Sequence, residues 1–152
     1  MNICGYYPES INEGEGLRAV IFISGCKHKC PGCFNPESWS FEAGEEFTAE
    51  RQLEIISDVK NNPLLDGITL CGGDPFFSPI ETAAFVRLFR ESCPGKTVWA
   101  YSGFTYEQIR RSVNMNELLS LCDVLIDGRF VEAQKDLTLA FRGSRNQRII
   151  KL

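Results

Sequence analysis

Hydrophobic positions along this chain follow two alternating patterns: short continuous runs, and longer stretches at helical spacing. Residues 17–24 (Leu-Arg-Ala-Val-Ile-Phe-Ile-Ser) form a β-branched and aromatic run ended by Gly25, the pattern of a buried strand. Thr48 then opens a predicted helix through Lys60, with Leu53, Ile56 and Val59 facing inward and Asn61-Asn62-Pro63 stopping it. Residues 67–71 (Gly-Ile-Thr-Leu-Cys) predict a second strand, closed by Gly72-Gly73-Asp74-Pro75. Ser78-Pro79-Ile80-Glu81 places a hydroxyl at the N-cap, proline at the first helical position and a carboxylate at the third, which predicts a capping box. Ile80, Ala84 and Leu88 recur at helical spacing, Phe85 and Phe89 widen the stripe, and Pro94-Gly95 ends it. Residues 97–102 predict a third strand, and Thr105-Tyr106-Glu107-Gln108 repeats the capping-box pattern. Residues 118–121 close a further short helix, 124–127 make a fourth strand, 128–147 are irregular and 148–152 form a last strand.

Strand and helix alternate, so the fold class is α/β with a mainly parallel sheet. Right-handed crossovers bring the C-terminal ends of parallel strands to one edge, where α/β proteins bind ligands. Four segments meet there: the loop after residue 24, Gly72-Gly73-Asp74-Pro75, Tyr101-Ser102-Gly103 and Asp127-Gly128-Arg129. With no repeat, low-complexity segment or long linker, residues 1–152 read as one domain. That length falls well short of the roughly 250 residues of a complete (β/α)8 barrel.

Charge changes the picture modestly. The chain carries a net −4, which argues against a general nucleic-acid binder. The first residues have neither a basic nor an apolar signal region, and no apolar run is long enough to span a bilayer. The balance is uneven, however. Residues 128–152 hold six basic side chains against two acidic ones, so Arg142, Arg145 and Arg148 suggest a docking surface for an acidic partner or an anion site.

The cysteines carry the chemistry. Seven are present, and three fall within Cys26-Lys27-His28-Lys29-Cys30-Pro31-Gly32-Cys33. The others, Cys4, Cys71, Cys93 and Cys122, are isolated. That distribution is a poor disulfide framework and suits a reduced, cytoplasmic, metal-using protein. Structural zinc and electron-carrying iron–sulfur sites normally take four protein ligands. Three thiolates can instead hold three corners of a cubane cluster and leave one iron open for chemistry. Zinc held by the three cysteines and His28 is the alternative, although His28 follows Cys26 at a shorter spacing than zinc sites usually show. Otherwise His28 reads as an exposed loop residue. With Lys27 and Lys29 it would favour thiolate and steer an acidic electron donor. Cys71 reads as a small buried residue.

Cys-x3-Cys-x2-Cys after the first strand of a parallel α/β unit resembles the signature of the radical S-adenosylmethionine superfamily. That resemblance implies a shortened, open partial (β/α) barrel and a 4Fe-4S cluster on Cys26, Cys30 and Cys33. It implies that S-adenosylmethionine chelates the fourth iron and that one-electron cleavage gives a hydrogen-abstracting 5′-deoxyadenosyl radical. No catalytic side chain beyond cluster and cofactor is implied. Gly72-Gly73-Asp74 matches the glycine-glycine-acid segment that holds the methionine ammonium, and Gly32, Cys33 and Phe34 would line the adenosine part.

Within that superfamily, Cys30-Pro31-Gly32-Cys33-Phe34-Asn35 resembles the loop of the activating proteins of anaerobic (class III) ribonucleoside-triphosphate reductase. Tyr6-Tyr7-Pro8, Gly14-Glu15-Gly16, Trp99-Ala100-Tyr101-Ser102-Gly103, the segment from Asp123 to Phe130 and the closing stretch from Phe141 to Arg148 extend the likeness over nearly the whole chain. It implies an oxidoreductase that raises a glycyl radical on the large reductase subunit, with a flavodoxin-like carrier supplying the electron. Two competing readings are a radical enzyme acting on a small molecule, such as a compact deazaguanine-forming synthase, and a zinc-stabilised binding module.

Overall fold

Four strands expected from the sequence stand side by side and parallel, and three more flank them. The computed structural model describes residues 1–152. Strands β1 (Asn2–Ser10), β2 (Arg18–Ile23), β3 (Glu45–Glu46), β4 (Gly67–Gly72), β5 (Thr97–Tyr101), β6 (Val124–Asp127) and β7 (Arg148–Lys151) form one sheet in the order β3-β1-β2-β4-β5-β6-β7. The ladders β2–β4, β4–β5 and β5–β6 are parallel, whereas β1–β2, β1–β3 and β6–β7 are antiparallel. The sheet does not close, since β3 and β7 are free edges. Helices α1 (Ala49–Lys60), α2 (Pro79–Ser92), α3 (Tyr106–Arg110) and α4 (Val113–Ser120) make the connections, and none is long and apolar enough to cross a membrane.

Strand side chains alternate between faces, so each parallel strand sorts its residues into two sets. Ala19, Ile21 and Ile23, Ile68 and Leu70, Val98 and Ala100, and Leu125 join the large core with Ile55, Ile56 and Val59 of α1 and Phe85, Val86 and Phe89 of α2. The residues between them, including Arg18, Thr69, Cys71, Trp99 and Tyr101, point the other way. There Trp99, Val124 and Ile126 form a second, smaller cluster with Tyr101, Phe141 and Ile149. One face is therefore aliphatic and covered by helices. The other is chemically mixed, and the segment before β2 and the segment after β6 pack over it.

Arg18 shows how that mixed face is satisfied. Its buried guanidinium donates to Thr69 Oγ1 at 2.9 Å, Thr97 Oγ1 at 2.9 Å, and the carbonyls of Ile68 and Thr97 at 2.7 and 2.9 Å. It also lies over the Trp99 ring, 5.5 Å from the centroid. A buried charge is tolerated only with such a full set of partners.

Three sequence expectations need correction. The Ser78 side chain makes no cap hydrogen bond, because the 3₁₀ turn of Pro75–Phe77 fixes its approach; its carbonyl instead takes the Thr82 hydroxyl at 2.6 Å. The buried stripe of α2 is Thr82, Ala83, Phe85, Val86 and Phe89, which leaves Ile80 61% exposed. On α1 the inward face is Ile55, Ile56 and Val59, and Leu53 is 54% exposed. The Thr48 cap and the Thr105–Gln108 capping box both form as expected.

Candidate functional site

The loops leaving β2, β4, β5 and β6 converge on one cavity of about 460 Å³ at the C-terminal edge of the parallel strands. Its walls carry Cys26, Cys30 and Cys33 from the first loop, Gly72 and Gly73 from the second, Tyr101, Ser102 and Gly103 from the third, and Gly128 from the fourth. The convergence expected from the alternation of elements is borne out.

The cysteine loop is stapled at its base. Gly25 N donates to Ser38 O at 2.8 Å and Cys26 N to Trp39 O at 3.0 Å. From the neighbouring strand, Gly73 N reaches Ile23 O at 2.7 Å and Asp74 N reaches Gly25 O at 3.0 Å. Here the two glycines serve packing between chain segments. A Cβ on Gly73 would sit 2.7 Å from the Gly25 carbonyl oxygen, and Gly72 adopts φ 100°, which side-chain-bearing residues rarely take. Beyond the staple, Lys29 and Gly32 turn left-handed, at φ 50° and 75°. These turns fold the loop back so that all three thiols reach the cavity.

The three thiols are a soft donor set of the kind that iron–sulfur clusters and zinc both take. All seven cysteines are free, and those of the loop are half-buried. No three His, Cys, Asp or Glu side chains converge where they could grip one metal ion. Burial pushes the Cys26 thiol up to about 11, while the nearby amides of His28 and Lys29 work in the opposite direction. A cationic iron there would favour the thiolate. Cys71 also reaches the cavity wall, but it is buried on β4, and burial drives its thiol far above the ordinary range.

Two expected roles change. His28 is not an exposed loop residue. Its side chain is 3% exposed, it packs 4.9 Å from Phe77 and 4.6 Å from Phe104 between ring centroids, and its Nε2 lies 2.9 Å from Asp74 Oδ2. That contact engages Nε2 and leaves Nδ1 as the only ring nitrogen open to a metal. Arg148 is not a free docking cation either, because it bridges Asp127, with Nε 3.0 Å from Oδ1, and Glu107. Arg145 stays exposed, and Arg142 lies in the cavity wall.

Of the other cofactor candidates, Cys33, Phe34, Gly72 and Gly73 line the cavity, while Gly32 and Asp74 do not. Sequence reading missed much of the remaining wall. Asn12 and Glu13 enter from the segment before β2, and Phe130, Leu137, Leu139, Phe141 and Gly143 from the segment after β6. The Phe34 ring packs against Phe130 with centroids 4.9 Å apart and planes tilted by 55°, and the Tyr101 hydroxyl donates to Phe141 O at 2.6 Å. No short-range pattern marked these contacts; Phe130 and Phe141 stood out only within the stretches that carry the family resemblance.

Comparison with known proteins agrees with this chemistry. A family model described as a 4Fe-4S single cluster domain matches residues 12–150. The anaerobic ribonucleoside-triphosphate reductase-activating protein of Pasteurella multocida is 40% identical, covering 99% of this chain and 98% of that protein. Proteins of the same name from Haemophilus influenzae (41% identical) and Escherichia coli K12 (37% identical) each cover 97% of this chain and 96% of their own length. With three loop thiols on one cavity and full-length likeness on both sides, the chain belongs to the family of anaerobic ribonucleoside-triphosphate reductase-activating proteins, within the 4Fe-4S single cluster domain family.

Proposed function

We propose that this protein is a radical S-adenosylmethionine activating enzyme that raises a glycyl radical on the large subunit of anaerobic ribonucleoside-triphosphate reductase. The observation that carries the reading is the meeting of three free loop thiols and a glycine pair on one cavity at the C-terminal ends of parallel strands. Cys26, Cys30 and Cys33 would hold three irons of a 4Fe-4S cluster and leave the fourth for the cofactor. When bound, cluster and cofactor together supply a one-electron cleavage that ends in hydrogen abstraction.

The chain's own residues provide placement. Gly72 and Gly73 bring backbone to the cavity wall, Cys33 and Phe34 border it, and Gly32 gives the loop the turn that presents Cys33. Phe130 and Phe141 add an apolar boundary that excludes water from a reactive centre. The reading takes residues 1–152 as one domain and the open sheet, helical on one face, as a shortened partial (β/α) barrel. The unclosed side suits a macromolecular substrate such as a reductase loop. A flavodoxin-like carrier in the cytoplasm would supply the electron, in keeping with seven unpaired cysteines.

The test is anaerobic incubation of the iron-loaded protein with reductant, S-adenosylmethionine and the large reductase subunit, followed by electron paramagnetic resonance. A glycyl radical that appears only with all components is expected. Its absence from fully loaded protein would overturn the proposal, as would colourless, zinc-containing material purified without oxygen.

A further inference from the structure

We infer that Asp74 and His28 form a positioning pair that shapes the cysteine loop before metal arrives, and that Asp74 therefore does not hold the cofactor's ammonium. This inference rests on the proposed cluster and cofactor site and deepens it.

The hydrogen bonding of Asp74 carries the argument. The residue is 1% exposed and absent from the cavity wall. Its Oδ1 accepts from Phe76 N at 2.9 Å. Its Oδ2 accepts from Ser102 Oγ at 2.9 Å and Gly103 N at 2.9 Å, and lies 2.9 Å from His28 Nε2. A carboxylate only accepts, so Nε2 carries the proton in this contact. A carboxylate oxygen offers about two lone-pair sites, and three donors already crowd Oδ2. Oδ1 keeps one site, but the side chain is buried and takes no part in the cavity wall, so it is not presented to an ammonium group there.

The donors come from three different loops: His28 from the cysteine loop, Phe76 from the turn after β4, and Ser102 and Gly103 from the turn after β5. Asp74 is the point where these loops are tied together. His28 lies midway between Cys26 and Cys30, so holding its ring fixes the backbone on either side of it. The ring is further enclosed by Phe77 and Phe104. Gly103 makes room for it, because a Cβ at that position would lie 2.4 Å from His28 Cδ2. A loop ordered in advance loses less conformational entropy when the cluster binds.

The experiment compares His28→Ala, His28→Gln and Asp74→Asn with the parent protein, all as full chains handled without oxygen. In metal-free protein, amide hydrogen exchange across residues 26–33 should speed up in H28A and return towards the parent rate in H28Q, whose side-chain amide can still donate to Asp74. After iron loading, H28A and D74N should release iron to a chelator about tenfold faster, the range seen when groups supporting metal ligands are removed. H28Q should recover most of the difference. At equal iron loading, D74N should bind S-adenosylmethionine with parent affinity, read from the cofactor-induced change in the reduced cluster's resonance spectrum.

Parent-like exchange in H28A, failure of H28Q to rescue, or a selective loss of cofactor affinity in D74N with iron retention unchanged would each overturn the inference. A parent protein that takes up no iron, or whose spectrum ignores the cofactor, would count against the proposed function, while the exchange measurement would still decide the positioning role on metal-free chains.

Discussion

The Tyr101 hydroxyl donates to the Phe141 carbonyl at 2.6 Å, joining the end of a central strand to the long segment that walls the cavity. Phe141 is held at φ 60°, a left-handed conformation unusual for an aromatic residue, with its ring edge-on to Trp99. Burial raises the Tyr101 phenol, which keeps it a proton donor at any physiological pH. Replacing Tyr101 with Phe removes this tie and keeps the ring. The expected result is faster proteolysis within residues 128–147 and about fivefold weaker cofactor binding, in line with the ~1 kcal/mol net worth of one hydrogen bond. Limited proteolysis and anaerobic titration check both.

Iron content should separate the cysteines cleanly. The parent should hold about four irons per chain, as a cubane requires. Changing Cys26, Cys30 or Cys33 singly to Ala should abolish stable loading, whereas Cys93→Ala and Cys122→Ala should keep it. Cys71→Ala is the informative variant, because Cys71 shares the cavity wall. Retained iron and a retained cofactor-dependent spectrum are expected; loss of iron would make Cys71 a fourth ligand.

Arg18 lies on the mixed face of the sheet, away from the cysteine loop. Arg18→Met keeps much of the stem volume but leaves the Ile68 and Thr97 carbonyls without their donor. A loss of about 3 kcal/mol is expected, since each buried polar group left unpaired costs roughly 1–3 kcal/mol. Denaturant unfolding of the metal-free protein measures it.

The Arg148 bridge predicts an acid-sensitive contribution to stability. Hydrogen bonding from Arg148 holds the Glu107 carboxyl below its ordinary value. A depressed native value means the contribution is complete at neutral pH and disappears as pH falls through that native value. The midpoint difference between the parent and Glu107→Gln should therefore be constant above pH 6 or so. It should start to shrink near ~4.3, the unfolded glutamate value, and close in stronger acid. A difference that grows on acidification would contradict the assignment.

The parallel strands were legible because their signals are local: β-branched runs bounded by glycine need no partner to be recognised. β1 was not legible in this way. Gly5 and Pro8 interrupt it, two register irregularities break its pairing, and it exists as a strand because β2 offers an edge. The two-residue β3 depends on β1 in turn. Helical spacing located α1 and α2 but misplaced Leu53 and Ile80, since which flank of a broad apolar stripe turns inward depends on the sheet beneath. At the site, the three thiols stood out by their spacing, whereas the glycine pair alone reads as a turn and gained meaning only from its place after a predicted strand and from the family resemblance. The place of His28 was not legible, because its concealment depends on Asp74, Phe77 and Phe104, which arrive from loops more than forty residues away.

The reversed direction of β7 has a practical use. Arg148 pairs with Asp127 at the end of the sheet nearest the thiols, Lys151 pairs with Val124 three residues further down, and the Leu152 amide meets the Asp123 carbonyl at 2.9 Å. The backbone has by then travelled to the opposite rim. A dye or surface tether carried on the exposed Lys151 side chain would stand clear of the sulfur-bearing end, so iron uptake at the thiols could be followed on an immobilised chain without obstruction.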